Sequence, residues 1–229
     1  MPALTFTTPA HPAHAHGSGT ERDPHELPEF SSETSASELL YLPPLLSSLP
    51  ANVQHPNDIK GLHTDTRLPD IDPVSLSLHR ALHAFRPLTQ KYAATSYRDA
   101  FNWNQLELPE DEERDWYCVV FRSKRKAGSD GSPLYEADRL AHEEAVHNGG
   151  LLLYWYGVPD PETGLNMATC IWQSRKHAIA ATSRPHHIRA MKLAAASYEI
   201  YSLERHVLRK RLGQRKLEID EYVGGDVGW

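Results

Sequence analysis

Arg175, His177, Arg184, His186 and His187 cluster in the C-terminal half of the chain. An imidazole titrates near neutral pH, so it can take or give a proton at a reacting atom. A guanidinium holds an anionic or phenolate group through its paired N–H donors. These residue types suit a site with His187 or His186 as base, His177 beside it and Arg175 as anion holder. Tyr154, Trp155, Tyr156 and Trp172 supply flat aromatic faces of the kind that line a pocket for a planar ligand. The same residues also have a plainer reading. Pro185-His186-His187 can simply open a helix, its histidines capping or facing water, and the aromatics can be core or interface.

Other groups with chemical character are set aside by spacing. His142 and His147 resemble a zinc-protease helix but stand five residues apart. At roughly 100° per residue they point about 140° apart, so a regular helix cannot bring both to one metal. They read as solvated or helix-end histidines. His11, His14 and His16 sit in a polar tail, and no metal site is expected. Cys118 and Cys170 lie in apolar runs and read as buried free thiols; there is no CxxC. GxSxG, P-loop and GxGxxG motifs are absent, and Gly224-Gly225 has no helix after it.

The elements that must position these groups follow from periodicity. Trp116 to Phe121 reads as a buried strand, and Leu134 to Asn148 as an amphipathic helix with Leu134, Ala137, Ala141 and Ala145 on its stripe. Gly149-Gly150 ends that helix. Leu151 to Val158 and Leu165 to Gln173 form a hairpin about the turn Pro159 to Gly164. Ser174 caps a short helix to Ala181, and Pro185 opens a longer one to about Tyr198. Tyr201 to Lys210 is a fourth strand. The order β-α-β-β-α-β predicts an α+β, ferredoxin-like sandwich over residues 111–212, followed by a mixed tail, 213–229. Strand two is apolar on both sides, so the sheet needs a second cover: a partner subunit or the chain's own N-terminal arm.

That arm is compositionally distinct. Residues 1–36 are Pro, His, Ser, Thr and Glu with little apolar periodicity, and are expected to be disordered. Residues 37–110 combine a Pro/Leu-rich arm with a helical segment, in two pieces split at Pro87, over 74–105. Of the 17 prolines, 13 lie in residues 1–115, where 8 Lys/Arg face 17 Asp/Glu. The net charge of −6 and pI of about 6.1 argue against general nucleic-acid binding. The basic stretch Arg205 to Lys216 suits a solvated strand edge. With no 18-residue apolar run, no secretory start and an acid-leaning N-terminus, a cytosolic protein is expected, also nuclear by diffusion.

Several stretches resemble an uncharacterised fungal protein family of unknown function. They are Phe121-Arg122-Ser123, His142-Glu143-Glu144-Ala145, Gly149 to Gly157, Asn166 to Arg175, and Arg184-Pro185-His186-His187. The resemblance covers roughly residues 80–212. A Trp-x-Ser segment leading into a helix, with a later His, is more distantly similar to the dimeric α/β-barrel superfamily. That superfamily includes cofactor-free monooxygenases, haem-degrading oxygenases, polyketide cyclases and stress proteins. The resemblance implies a homodimer and a pocket for a small hydrophobic, aromatic ligand. Its haem-degrading branch uses an Asn on strand one, a Trp on strand three and a His on the next helix; here Trp172 matches by position, while strand one has no Asn.

Two functions remain open at this level. One is a small-molecule enzyme or binder, a cofactor-independent monooxygenase or cyclase type, with its pocket between the open sheet face and the arm or partner. It assigns no cofactor and leaves haem as an alternative. The other is a non-catalytic interaction or structural protein whose arm covers the sheet and leaves no pocket.

Overall fold

The computed structural model describes the strands Leu39–Leu42 and Leu62–Arg67 and residues 72–82, 84–129 and 132–228. The expected disorder of residues 1–36 lies outside the described residues. Numbered in chain order, the strands are β1 (Leu39–Leu42), β2 (Leu62–Arg67), β3 (Arg114–Arg125), β4 (Leu151–Tyr156), β5 (Leu165–Trp172), β6 (Tyr198–Lys210) and β7 (Leu217–Glu221). The helices are α1 (Pro73–Leu82), α2 (Tyr97–Ala100), α3 (Ser132–Asn148), α4 (Arg175–Thr182) and α5 (Pro185–Ser197).

Among the described residues one sheet runs in the order β2-β1-β4-β5-β3-β6-β7. Its centre, β4-β5-β3-β6, is antiparallel throughout and is the ferredoxin-like arrangement read from the sequence. The register is set by long ladders. β3 pairs with β5 from Tyr117↔Trp172 to Lys124↔Leu165, and with β6 from Arg114↔Lys210 to Arg125↔Tyr198. Local chemistry ends and starts the helices as expected. Ser174 accepts the His177 amide at the start of α4, and Pro185 occupies the first turn of α5.

β6 begins at Tyr198, directly at the end of α5, because Tyr198 is already extended (φ −98, ψ 139). The mixed tail expected over 213–229 instead supplies β7, paired with His206 to Lys210. Leu217 and Ile219 alternate with Glu218 and Asp220, and that alternation buries the two apolar residues against the sheet end. The second helical piece expected after Pro87 is not a continuous helix. It is a 3-10 turn at Tyr92–Ala94, the short α2, and another 3-10 turn at Trp103–Gln105. Side chains compete with the helix there. Ser96 Oγ accepts the Asp99 amide, and Asn102 accepts from the Arg86 amide while donating to the Ala84 carbonyl.

This segment answers what covers the sheet. Even-numbered β3 residues (Trp116, Cys118, Val120) face residues 72–108 of the same chain, and the other face carries α3 and α5. Trp116 Nε1 donates to Ser75 Oγ at 2.8 Å, and Tyr97 Oη lies 2.8 Å from Thr169 Oγ1. Trp155 meets Phe101, Tyr92 and Phe85 at 5.0, 5.1 and 6.3 Å between ring centres, all edge-on. Leu78, Leu82, Trp103 and Leu106 complete a continuous core with the sheet. Arg122 ties the segment down, donating to the Ala93 and Thr95 carbonyls (2.6 and 2.9 Å) while pairing with Glu204. On the opposite face α3 and α5 meet through Ala137, Ala141 and Ala190, whose small side chains let the two helices approach closely. Among the described residues no helix is long and apolar enough to cross a membrane.

Candidate functional site

A cavity of about 90 Å³ lies between α3, α5 and the face of the sheet beneath them. A single water needs only about 10–15 Å³ by the same kind of measure, so this space suits a small organic molecule. Alternation decides which strand residues reach it. Phe121 and Ser123 project from β3, Tyr154 and Tyr156 from β4, and Ala168 and Cys170 from β5. α3 contributes Leu134, Asp138, Ala141 and His142 at helical spacing, and α5 contributes His187, Ala190, Met191 and Ala194. β6 contributes Tyr198 and Tyr201.

The polar groups of this cavity are few and unusually placed. Tyr154 Oη donates to Asp138 Oδ2 at 2.9 Å. Burial pushes the Asp138 carboxyl up to about 6, against the lowering effect of that hydrogen bond. Tyr154 itself is held well above the usual phenol range, by burial first and by the Asp138 charge second. The His142 ring lies 4.5 Å from the Tyr154 ring, and its Nε2 is sequestered with no hydrogen-bond partner among the described residues. Burial pushes His142 down to about 3, so its imidazole is neutral at physiological pH. His187 is also lowered by burial, opposed by the Glu144 charge. Glu144 Oε2 accepts the backbone amides of His186 and His187 (3.0 and 3.1 Å), which seats the start of α5 on α3. Tyr156 and Tyr198 hydroxyls lie 3.3 Å apart, and Tyr198 stacks on Tyr201.

The structure thus brings together Tyr154, Tyr156 and His187 from the residues singled out in the sequence. It does not bring the others to the same place. Trp155 cannot share a face with its two neighbours on a strand, and it points into the core with Phe85, Tyr92 and Phe101. Trp172 lies on the cavity side of β5 but beyond the cavity, buried in the core. His186 is exposed at the first turn of α5. His177 packs against Gly150, where even a Cβ would come within 2.3 Å of the ring, and its Nδ1 lies 2.8 Å from Ser174 Oγ. Burial and the nearby Arg114 lower its pKa. Arg175 faces the C-terminal segment, 3.9 Å from Asp226 and above the Tyr222 ring at 5.9 Å. Among the described residues no Lys or Arg lines the cavity. The pocket is also not between the sheet and the arm, because residues 72–108 fill that side.

Asp138 and His142 escaped the sequence reading, which took His142 as solvated or at a helix end. Their signal was present. They stand at i and i+4 on the stripe of Leu134, Ala141 and Ala145, two polar groups on the side of α3 that faces the sheet.

The sequence profile of the PB2B2.08-like family matches residues 56–221, most of the chain. The chain belongs to the PB2B2.08-like family. Every residue lining the cavity falls within the matched span of this PB2B2.08-like chain. The UPF0643 protein PB2B2.08 of Schizosaccharomyces pombe is 37% identical over 97 residues, covering 40% of this chain and 44% of that protein. The chain therefore aligns with less than half the length of that curated relative. Among solved structures, Rv0793 from Mycobacterium tuberculosis is similar at a TM-score of 0.35 and 11% identity, over 39% of this chain and 91% of its own. SnoaB, a cofactor-independent oxygenase from Streptomyces nogalater, is similar at a TM-score of 0.34 and 8% identity, over 43% of this chain and 94% of its own.

Proposed function

We propose that the protein binds a small, hydrophobic, aromatic ligand in the cavity beneath α3 and α5 and moves a proton on it without a bound cofactor. One observation carries this reading: a Tyr154–Asp138 pair and two imidazoles, His142 and His187, converge on one apolar cavity. A neutral His187 imidazole accepts a proton, and a carboxyl that titrates near 6 returns one close to physiological pH. His187 is the base, held by the clasp of Glu144 on its amide, and Tyr156 shapes the wall. The interaction-protein reading gains support from residues 72–108, which cover the sheet as it requires. The cavity on the opposite face favours the ligand reading. A homodimer, in this account, uses the α5–β6 side, where Ile188, Met191 and Leu203 are exposed, because the other sheet face is occupied.

A titration with single-ring aromatics of each charge type, followed on the Met191 methyl resonance, tests the site. A saturable shift with at least one of them is expected, and it is lost in Ala141→Phe, which fills the cavity from α3. A methyl signal indifferent to all of them overturns the proposal.

A further inference from the structure

The charged and aromatic lining of the cavity says more about what enters it. Among the described residues Asp138 is the one carboxylate on the wall, and no Lys or Arg lines it. The groups facing it are Tyr154 from β4, Cys170 from β5, His187 from α5, Tyr201 from β6 and, on its own helix, His142. None of them is a fixed positive charge. Arg139, its neighbour in sequence, is engaged with Glu136 and Glu143 on the outer side of α3. An ionised, desolvated carboxylate without a counterion is costly, and a ligand that brings a positive charge relieves that cost.

Two further features match the same ligand. Phe121, Tyr154, Tyr156, Tyr198 and Tyr201 present five rings to one small space. Aromatic faces attract ammonium groups within about 6 Å of their centres, and do so more strongly in desolvated sites. His142 lines the cavity, and its Nε2 is buried without a partner among the described residues, so it is short of a hydrogen bond. A ligand N–H supplies it.

We propose that the cavity takes a small organic amine in its protonated form, its apolar body against the Phe121 and tyrosine rings and its N–H groups directed at the Asp138 carboxylate and His142 Nε2. The proposal rests on the cavity being a ligand site and assigns the charge of the ligand.

The full chain is titrated by calorimetry at pH 7.5 with three probes of nearly equal shape: benzylamine, benzyl alcohol and benzoate. Benzylamine is expected to bind at least about tenfold more tightly than benzyl alcohol, and benzoate more weakly still. Asp138→Asn, which keeps the side-chain shape, should remove the preference for benzylamine over benzyl alcohol. In the unaltered protein benzylamine binding should weaken as pH falls through about 6, where Asp138 takes up its proton, and Asp138→Asn should flatten that profile. Benzyl alcohol or benzoate binding as tightly as benzylamine overturns the amine assignment and leaves the ligand site standing. Failure of all three to bind overturns both.

Discussion

Asp138 and His142 stand one turn apart on α3, and burial moves their protonation in opposite senses. The folded Asp138 holds its proton up to about 6 against an ordinary 3.8, so the folded state binds more protons than the unfolded one between those values. Its contribution makes stability fall as pH rises from about 4 to 6, and the loss persists above that. At about 1.36 kcal/mol per tenfold, the separation is worth at most about 3 kcal/mol. His142 behaves inversely. Its folded value of about 3 lies below the ordinary 6.5, so stability rises with pH across that window and is fully present above it. The two slopes oppose each other between pH 4 and 6. Asp138→Asn should therefore stabilise the protein at pH 7 by about 1–3 kcal/mol and leave a difference curve that climbs from pH 4 to 6. Urea denaturation across that range measures it, and a variant no more stable than the parent at pH 7 contradicts the sequestered carboxylate.

Each secondary element expresses a local signal, and the places where signal and structure part have physical causes. The strands of the ferredoxin-like core were legible because apolar runs are bounded by Gly149-Gly150, by the Pro159 to Gly164 turn and by Ser174 and Pro185. The direction of Trp155 was legible too, since alternation alone separates it from Tyr154 and Tyr156. Residues 88–105 were not, because Ser96 and Asn102 spend their side chains on backbone groups that a continuous helix needs. β7 is five residues long and three of them are charged, so its strand character depends on pairing with β6. For the candidate site, charge misled: polar residues on helices usually face water, whereas Asp138 and His142 face the sheet. The turn-rich segment makes Arg122 important. Its loss removes donors from the Ala93 and Thr95 carbonyls and leaves Glu204 without its closest partner. Arg122→Ala should cost about 2–4 kcal/mol and accelerate amide exchange at Ala94 and Thr95 before other core amides. Unchanged exchange at those two positions contradicts the tether.

At the scale of the whole molecule, residues 72–108 and the ferredoxin-like unit share one core, joined through Trp116, Trp155 and the Phe85–Phe101–Trp103 cluster. They should unfold together. Far-ultraviolet ellipticity and tryptophan emission, which reports Trp103 on one side and Trp116, Trp155 and Trp172 on the other, are expected to trace a single coincident transition in urea. Two separated transitions would show the segment to be an independent layer. The opposite side of the sheet carries a different kind of consequence. Ala141, Ala168, Ala190 and Ala194 form much of the cavity wall, while Asp138, His142, Tyr154 and His187 bring titratable groups to it. The size of the space and its titratable lining are thus set by separate positions. Exchanging one of these alanines for a bulkier residue shrinks the space while every one of those titratable groups stays where it is.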